Sequence, residues 1–496
     1  MKFLAFALLA GLGSALGFAP LGLWPLTILA FAALLWLVET APSLRSALAR
    51  GWWFGIGQFA LGLNWIATAF TYQAAMPAWL GWVAVLLLSL YLAIYPAAAA
   101  GLAWRWGRRD KLALVLLLAA AWIVTEWLRG SLFTGFAWNP VGVVLVDRSI
   151  APLSALVGTY GLSAMVVLFA GLIWIAALGP NRRPALALAA FALAAQGAAS
   201  LAVGTPQGEG RRPLLRIVQP NIGQQNKWDP DFEAENFRRL ARLTGPPAAE
   251  PRLVLWPEAA TPDYLSIELG PRRRLAALLG PSDLLLLGGV ELAFGPDGRA
   301  DAAHNSLFVL APDGRMLGRY DKAHLVPYGE YLPMRPILSA IGLSRLAPGD
   351  LDFLGGPGPR TLDLPGFGRA GIQICYEIIF SGQVVDAANR PDFIFNPSND
   401  AWFGAWGPPQ HLAQARLRAI EEGLPVVRAT PTGISALIDA RGRLLASLPW
   451  NEAGAIDARL PRPAPPTLFA RYGNILPFGF ALLLVAAAIA VRRKAR

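Results

Sequence analysis

Only one of the 496 residues is a cysteine, Cys375, and it follows the apolar, β-favouring run 372–374. This pattern predicts a buried strand that ends in a tight turn, with the thiol where the strand ends. Such a turn can present a nucleophile beside the backbone N–H of the next residue, Tyr376, as acyl transfer requires. Most lone cysteines are small buried hydrophobes, so the residues that accompany Cys375 decide between the two interpretations.

Two other reactive side chains also follow strand-like runs. Glu258 comes after the run 253–255, and Lys322 comes after a further β-like run. Because strand ends gather at one edge of a layered α/β domain, we expect both residues to lie near Cys375. The carboxylate can take the thiol proton, and the ammonium can stabilise the thiolate and a tetrahedral oxyanion. Taken singly, each charged residue would more often form a surface ion pair.

The elements that position these residues lie between residues 205 and 470. Strand-like and helix-like segments alternate there, which is typical of an α/β layered domain. Strands are predicted at 214–218, 253–255, 284–290, 306–310, 392–395, 426–429 and 434–439, and a helix at 410–422. Segment 333–356 is rich in Leu, Ile, Pro and Gly and lacks a strand pattern. We expect it to form an amphipathic lid, with a helix packed into the core as the alternative.

The remainder of the chain is strongly apolar. Eight stretches predict membrane-spanning helices, at about 3–18, 23–39, 51–70, 78–104, 112–128, 150–178, 184–203 and 473–491. We therefore predict a seven-span transmembrane domain at 1–204, a catalytic domain at 205–470, and a C-terminal span with a basic tail at 471–496. Residues 1–20 also have features of a signal peptide. Glu126 falls inside the fifth stretch, where an ionisable group is either functional or paired, here with Arg129.

The net charge of +11 belongs to the apolar segments. Residues 1–200 carry 11 Lys/Arg and 4 Asp/Glu, and residues 471–496 carry 5 Lys/Arg and no acid, which leaves 27 basic and 28 acidic residues between them. Residues 201–470, which include Glu258, Lys322 and Cys375, are thus about neutral, and the high pI gives no support to nucleic-acid binding. Basic loops alternate with non-basic loops, so both termini are predicted to be cytoplasmic and the 205–470 domain periplasmic. A single cysteine permits no intrachain disulfide and assigns no compartment.

Three motifs resemble the signatures of the nitrilase (carbon–nitrogen hydrolase) superfamily. They are Trp256-Pro257-Glu258, the segment from Asp321-Lys322 to Gly329-Glu330, and Cys375-Tyr376-Glu377. Together with the eight predicted spans, they make the whole chain resemble the apolipoprotein N-acyltransferase family, a membrane-embedded branch of that superfamily. The similarity extends to the segments 227–230, 399–404 and 410–411.

The resemblance implies a four-layer αββα domain with a catalytic triad. Glu258 would be the general base, Lys322 would stabilise the oxyanion and thiolate, and Cys375 would be the nucleophile. Supporting roles are implied for Glu330, Tyr376 and Glu377, and substrate-binding roles for Trp228, Trp402 and Phe403. The implied reaction moves the sn-1 acyl chain of a membrane phospholipid, typically phosphatidylethanolamine, through a Cys375 thioester. The acceptor is the α-amino group of the S-diacylglyceryl cysteine at the N-terminus of a lipoprotein.

The resemblance implies no cofactor and no metal, and its partners are the phospholipid donor and the modified apolipoprotein rather than nucleic acid. We expect a monomer in the bacterial inner membrane. One alternative is a membrane-tethered nitrilase or amidase that hydrolyses a small C–N substrate, although a tether needs a single span. Another is a Cys–His or metal enzyme that uses His304, His324 and His411, which show no short-range pairing in the sequence. A third is a non-catalytic transporter or scaffold with a degenerate extracytoplasmic domain.

Overall fold

A computed structural model describes residues 1–72, 77–177, 183–206, 212–340 and 351–494. The N-terminal region is helical. Its α-helices are α1 (Lys2–Ala15), α2 (Trp24–Glu39), α3 (Leu44–Gly62), α4 (Ile66–Ala69), α5 (Leu80–Leu92), α6 (Ile94–Gly107), α7 (Lys111–Arg129), α8 (Ser154–Ala177) and α9 (Arg183–Ala202). Helices α1 and α3 pack closely at two glycines. A Cβ atom on Gly57 would lie 2.2 Å from the backbone oxygen of Leu8, and one on Gly11 would lie 2.0 Å from that of Phe54. Small residues therefore set the distance between these two helices.

Several of the helices are apolar enough to enter a membrane. Within the described ranges, four helical segments are long and apolar enough to cross one, judged by length and composition: Leu80–Gly107, Lys111–Arg129, Ala151–Ala177 and Ile475–Lys494. Shorter apolar helices are Lys2–Ala15, Trp24–Glu39 and Ala189–Ala202. These helices coincide with predicted apolar stretches, so the chain is a membrane protein by composition. The number of eight spans stays a prediction.

The region between α9 and the C-terminal helices contains two six-stranded sheets. The first has the order β12-β1-β2-β3-β4-β5 and the second β11-β10-β9-β8-β7-β6. The strands are β1 (Leu214–Gln219), β2 (Arg252–Leu255), β3 (Leu284–Phe294), β4 (Ala300–Leu310), β5 (Met316–Asp321), β6 (Thr361–Leu364), β7 (Gly368–Ile372), β8 (Phe393–Pro397), β9 (Val426–Ala429), β10 (Ala436–Ile438), β11 (Leu444–Ser447) and β12 (Gly454–Arg459). Every strand predicted from the sequence has a counterpart among them.

The two sheets pack face to face, with helices on their outer faces. The helices of this region are α10 (Gln224–Lys227), α11 (Pro230–Thr244), α12 (Leu269–Ala276), α13 (Arg335–Ala340) and α14 (Gly407–Glu422). The core between the sheets buries Leu253 and Leu286 from one sheet against Phe393 and Phe395 from the other. Each such side chain contributes about 1.5–3 kcal/mol by leaving water. This arrangement is the predicted α/β layered domain.

Helix α14 belongs to two packing layers. Leu412, Ala415 and Ala419 pack on the outer face of the second sheet. Leu417 and Ile420 belong instead to the apolar core of the N-terminal helices. The chain then ends in α15 (Leu468–Tyr472) and α16 (Ile475–Lys494). One helix thus joins the sheet region to the membrane helices.

The predicted lid is only partly described. Residues 341–350, its central part, lie outside the described residues. On one side of that gap, Met334 is 63% exposed just before the short helix α13, and Ile337 within the helix is 64% exposed. On the other side, Leu354 donates its backbone N–H to the carbonyl of Ala303 at 2.8 Å. The described part of the segment is therefore not packed into the core, and its function as a lid stays a prediction.

Candidate active site

Cys375 lies just beyond the end of a strand, on a strained turn. Strand β7 ends at Ile372, and a 3-10 turn runs from Cys375 to Ile379. Cys375 has φ 51°, in the left-handed region that costs a non-glycine residue about 1–2 kcal/mol, and it is 4% exposed. The strand therefore ends two residues earlier than the predicted run 372–374 does. A strained turn of this kind persists only where its surroundings hold it, and such turns cluster at functional sites.

Two buried carboxylates lie beside the amine of Lys322, which follows the last residue of β5, and a buried amide bridges them. The Nζ atom donates to Glu330 Oε1 at 2.9 Å and lies 3.6 Å from Glu258 Oε1. Asn305, in the neighbouring strand β4, donates through Nδ2 to both carboxylates, at 2.7 Å for Glu258 and 2.8 Å for Glu330. The strand ends of the first sheet thus bring a carboxylate pair and an ammonium together.

The two carboxylates differ in how their oxygens are used. Glu330 accepts hydrogen bonds on both oxygens, with Oε2 receiving the backbone N–H of Val326 at 2.8 Å. Glu258 accepts on Oε1, whereas its buried Oε2 has no hydrogen-bond partner among the described residues. Glu330 is therefore fixed in place, and Glu258 keeps one oxygen free to accept a proton.

The electrostatic surroundings keep Lys322 charged and Cys375 neutral. Burial alone would lower the pKa of Lys322, but the carboxylates of Glu330 and Glu258 outweigh it and raise the pKa. Burial raises the pKa of the Cys375 thiol well above its ordinary value, and the charge of Glu258 raises it further. Lys322 and the backbone N–H of Asn399 act in the opposite direction. The site therefore needs a base to remove the thiol proton during attack.

Glu377 joins the Cys375 turn to the Lys322 segment. Its Oε1 accepts the hydroxyl of Tyr320 at 2.7 Å and the backbone N–H groups of Ala323 at 2.7 Å and His324 at 3.1 Å. Its Oε2 accepts the backbone N–H of Ile374 at 2.6 Å. Burial raises the pKa of Glu377 to about 7, against the effect of these donors. One carboxylate thus fixes the Cys375 turn relative to the segment that contains Lys322.

A second buried network lies beneath Cys375. His411, on α14, directs Nε2 to the carbonyl oxygen of Cys375 at 3.0 Å and Nδ1 to Asp400 Oδ1 at 3.0 Å. Arg428, on β9, pairs with Asp400 and approaches His411 Nδ1 at 3.0 Å. Asn396 contributes Nδ2, which lies 3.5 Å from the same carbonyl. Sequence reasoning missed Asp400 and Arg428, although the segments 399–404 and 410–411 were part of the resemblance.

The arrangement does not fit a metal centre or a Cys–His enzyme. The candidate ligand atoms of Cys375, Asp400 and His411 do lie within 4.8 Å of one another. However, the Arg428 guanidinium already balances Asp400, and a second cation there would be repelled. His411 is engaged with a carbonyl, His304 bonds the Leu354 carbonyl, and His324 bonds that of Thr134.

Lys227 is a buried amine that sequence reasoning did not place in the site. Its Nζ donates to the backbone carbonyl of Glu258 at 2.9 Å. Burial lowers the pKa of Lys227 to about 8, while Glu258 and Cys375 act to raise it. The side chain fixes the backbone of the segment that carries the Glu258 carboxylate. The only sequence signal was its membership in the motif segment 227–230.

The aromatic residues predicted to bind substrate are half-buried. The ring of Trp228 lies 5.7 Å from the amine of Lys227. Trp402 meets the ring of Tyr72 at 5.8 Å. Phe403 contacts Trp65 and Trp138, at 4.7 and 5.4 Å between ring centroids. Trp402 and Phe403 therefore lie where the second sheet meets the N-terminal helices.

Comparison with known proteins assigns this architecture. Residues 214–464 match the carbon–nitrogen hydrolase family, and residues 10–172 match the apolipoprotein N-acyltransferase N-terminal domain. The two-sheet region is therefore a carbon–nitrogen hydrolase domain. The structure of Saccharomyces cerevisiae Nit3, a member of the nitrilase superfamily, is similar to this chain. The match covers 52% of this chain and 93% of the Nit3 chain, with 19% sequence identity and a TM-score of 0.36.

Full-length relatives narrow the assignment further. The apolipoprotein N-acyltransferase of Rhodopseudomonas palustris is 38% identical over 98% of this chain and 95% of its own length. Those of Bradyrhizobium diazoefficiens and Caulobacter vibrioides are 38% and 39% identical, each over 98% of this chain and 94% of its own length. The chain belongs to the apolipoprotein N-acyltransferase family and is an acyltransferase. The family resemblance of its motifs is thereby confirmed.

Proposed function

We propose that this protein transfers the sn-1 acyl chain of a membrane phospholipid to the α-amino group of the N-terminal S-diacylglyceryl cysteine of lipoproteins. The observation that carries the proposal is the buried assembly of Glu258, Lys322 and Cys375 on a carbon–nitrogen hydrolase domain joined to apolar helices. The apolipoprotein acceptor and the N-acyl transfer accord with the names of the full-length relatives, and the phospholipid donor is what the motif resemblance implies. No cofactor takes part in the proposed reaction.

In the first step, the thiol attacks the ester carbonyl of the phospholipid. Glu258 takes the thiol proton on Oε2 while the sulfur forms its bond to the carbonyl carbon. The ammonium of Lys322 and the backbone N–H of Tyr376 stabilise the oxyanion of the tetrahedral intermediate. The ester C–O bond then breaks, and the lysophospholipid oxygen takes the proton back from Glu258. The product is a Cys375 thioester and a lysophospholipid with a free hydroxyl.

In the second step, the α-amino group of the acceptor attacks the thioester. Glu258 accepts a proton from the attacking nitrogen, and the same two donors stabilise the second oxyanion. The C–S bond breaks, an amide forms, and the proton returns from Glu258 to the departing sulfur. The second step regenerates the enzyme without a redox change. Burial of the site favours transfer to the amine over hydrolysis, because it limits the access of water to the thioester.

We also propose the membrane arrangement that the loop charges indicate. Eight spans place both termini in the cytoplasm and the 205–470 domain in the periplasm of the inner membrane. The described apolar helices and the basic tail support this arrangement. In it, Cys375 faces the leaflet from which both lipid substrates come. Trp402 and Phe403, at the junction of the two regions, would contact the acyl chain, and Trp228 the acceptor side. A single chain carries the whole triad, which supports a monomer.

The decisive experiment follows the acyl adduct by intact-mass measurement. Purified protein is incubated with phospholipid, and a mass increase of one acyl chain is expected together with stoichiometric lysophospholipid. Cys375→Ala should give no adduct, and Cys375→Ser nearly none, while both proteins keep the melting temperature of the unmodified protein. An adduct of normal yield on Cys375→Ala would remove Cys375 from the mechanism.

A second measurement separates the acyltransferase from the amidase alternative. The acyl-enzyme is isolated and mixed with a synthetic S-diacylglyceryl cysteinyl peptide or with buffer alone. Transfer predicts rapid conversion of the peptide to its N-acyl form and slow release of free fatty acid without peptide. Equal rates of deacylation with and without peptide would identify a hydrolase.

A further inference from the structure

Two side chains contact the carbonyl of the peptide group between Cys375 and Tyr376, and His411 is the nearer, since Asn396 Nδ2 lies 3.5 Å away. His411 Nε2 lies 3.0 Å from the Cys375 carbonyl oxygen, and His411 is fully buried. Because a carbonyl oxygen can only accept, Nε2 carries the proton whatever the charge of the ring. His411 is thus a donor to this carbonyl in both of its protonation states.

The imidazole is fixed on every side by buried groups. Asp400 and Arg428 face its Nδ1, each at 3.0 Å. The ring of Trp138 lies 5.2 Å from the imidazole, and its indole N–H donates to Gln410, the residue before His411, at 2.8 Å. Burial and the charge of Arg428 lower the pKa of His411, which favours the neutral ring. The ring therefore cannot rotate away from the carbonyl without breaking several contacts.

The same peptide group supplies the N–H of Tyr376. In a trans peptide the C=O and N–H bonds point in opposite directions within one plane. A hydrogen bond to the carbonyl therefore fixes the direction of the N–H, and it also strengthens the N–H as a donor. Cys375 itself has a left-handed φ of 51°, a conformation that persists only where the surroundings hold the backbone.

We propose that His411 is a positioning residue that aims the Tyr376 N–H into the oxyanion hole. The inference rests on the proposed function, because only acyl transfer forms an oxyanion beside Cys375. His411 makes no contact with the reacting atoms in this role. In the neutral ring, Nδ1 accepts a hydrogen bond from Arg428, which Asp400 holds in place, and the ring of Trp138 packs beside the imidazole. The membrane-proximal part of the protein thereby contributes to the geometry of the site.

Two variants that differ in one donor test this proposal. In His411→Gln, the side-chain amide reaches the place of Nε2 and still donates to the carbonyl. In His411→Asn, the shorter amide reaches only the place of Nδ1, so the donor is lost. Each variant is assayed for single-turnover acylation by phospholipid and for alkylation by iodoacetamide, which forms no oxyanion.

We expect His411→Asn to lower the acylation rate about 10- to 100-fold, somewhat less than removal of an oxyanion donor outright. Its alkylation rate should stay within about threefold, and His411→Gln should keep both rates within about threefold. Equal losses of acylation and alkylation in His411→Asn would overturn the proposal, as would equal acylation by the Asn and Gln variants.

His411→Met supplies the donor-less comparison if the Asn variant does not fold. If neither donor-less variant folds while the Gln variant is active, the bond is needed for folding alone, and the proposal is wrong. These outcomes are distinct from failure of the proposed function, which would abolish acylation in the unmodified protein as well.

Discussion

Substitution of each carboxylate beside Lys322 tests whether Glu258 and Glu330 have different functions in acylation. Glu258→Gln removes the free carboxylate oxygen, Oε2, that is proposed to take the thiol proton. A positioned general base typically contributes about 100- to 10,000-fold, so the acylation rate should fall by that factor. Glu330→Gln instead weakens one charge-assisted hydrogen bond, at 2.9 Å to Lys322. Such a bond contributes about 1.5–3 kcal/mol, which corresponds to about 10- to 150-fold.

The assay is single-turnover thioester formation, followed by intact mass after rapid acid quench. Alkylation by iodoacetamide serves as the internal control. The charge of Glu258 raises the thiol pKa, so Glu258→Gln should alkylate at least as fast as the unmodified protein at neutral pH. The half-buried residue Glu235 pairs with Arg238 and Arg239 on its own helix, α11, and Glu235→Gln should leave both rates unchanged. Equal, modest losses of acylation in Glu258→Gln and Glu330→Gln would refute the division of labour.

Two further predictions concern buried polar groups. Glu377 must be ionised to accept its four donors, and its pKa is raised to about 7, so acylation should decline as pH falls through about 7. Glu377→Gln should acylate more slowly at every pH and lose this pH dependence. If the decline in acylation rate below about pH 7 is unchanged in the variant, another group causes that decline. Gln58 Oε1, both amide atoms of Asn139 and Glu126 Oε2 lack hydrogen-bond partners among the described residues and line one polar cavity of about 10 Å³. That volume is about enough for a single water molecule bridging these groups, so Gln58→Met should lower the melting temperature, whereas an increase would show that the cavity is dry.

The positions of the predicted triad residues relative to the strands could be predicted, because local patterns encode them. Glu258, Lys322 and Cys375 each follow a strand-like run, and the structure places each of them just after a strand, β2, β5 and β7. The general tendency of strand ends to meet at one edge is enough to bring them together. The prediction placed the end of this strand at Ile374, whereas β7 ends at Ile372, because buried residues 373 and 374 give no local signal for the end of the strand.

The supporting network could not be predicted because no local pattern encodes it. Asn305 lies inside β4, where a polar residue reads as an ordinary solvent-facing position. Arg428 is fully buried, although arginine is normally exposed, because Asp400, Asn396 and Ser398 satisfy its guanidinium. Its partners come from β8 and the segment after it, so only the folded chain reveals the group. Residues of this kind depend on tertiary proximity, which spacing along the chain does not record.

Helix α14 limits how far the two halves of the protein can be separated. Its residue Glu421 accepts hydrogen bonds from the backbone N–H and hydroxyl of Thr159, at 2.6 and 2.7 Å, and Thr159 belongs to the membrane helix α8. A fragment cut out at residues 205 and 470 would leave this carboxylate without those donors and would place Leu417 and Ile420 in water. We therefore expect the carbon–nitrogen hydrolase region not to fold autonomously, in contrast to a module on a flexible linker. Its unfolding should be cooperative with that of the membrane helices, so a soluble truncated enzyme is not a faithful substitute for the full chain.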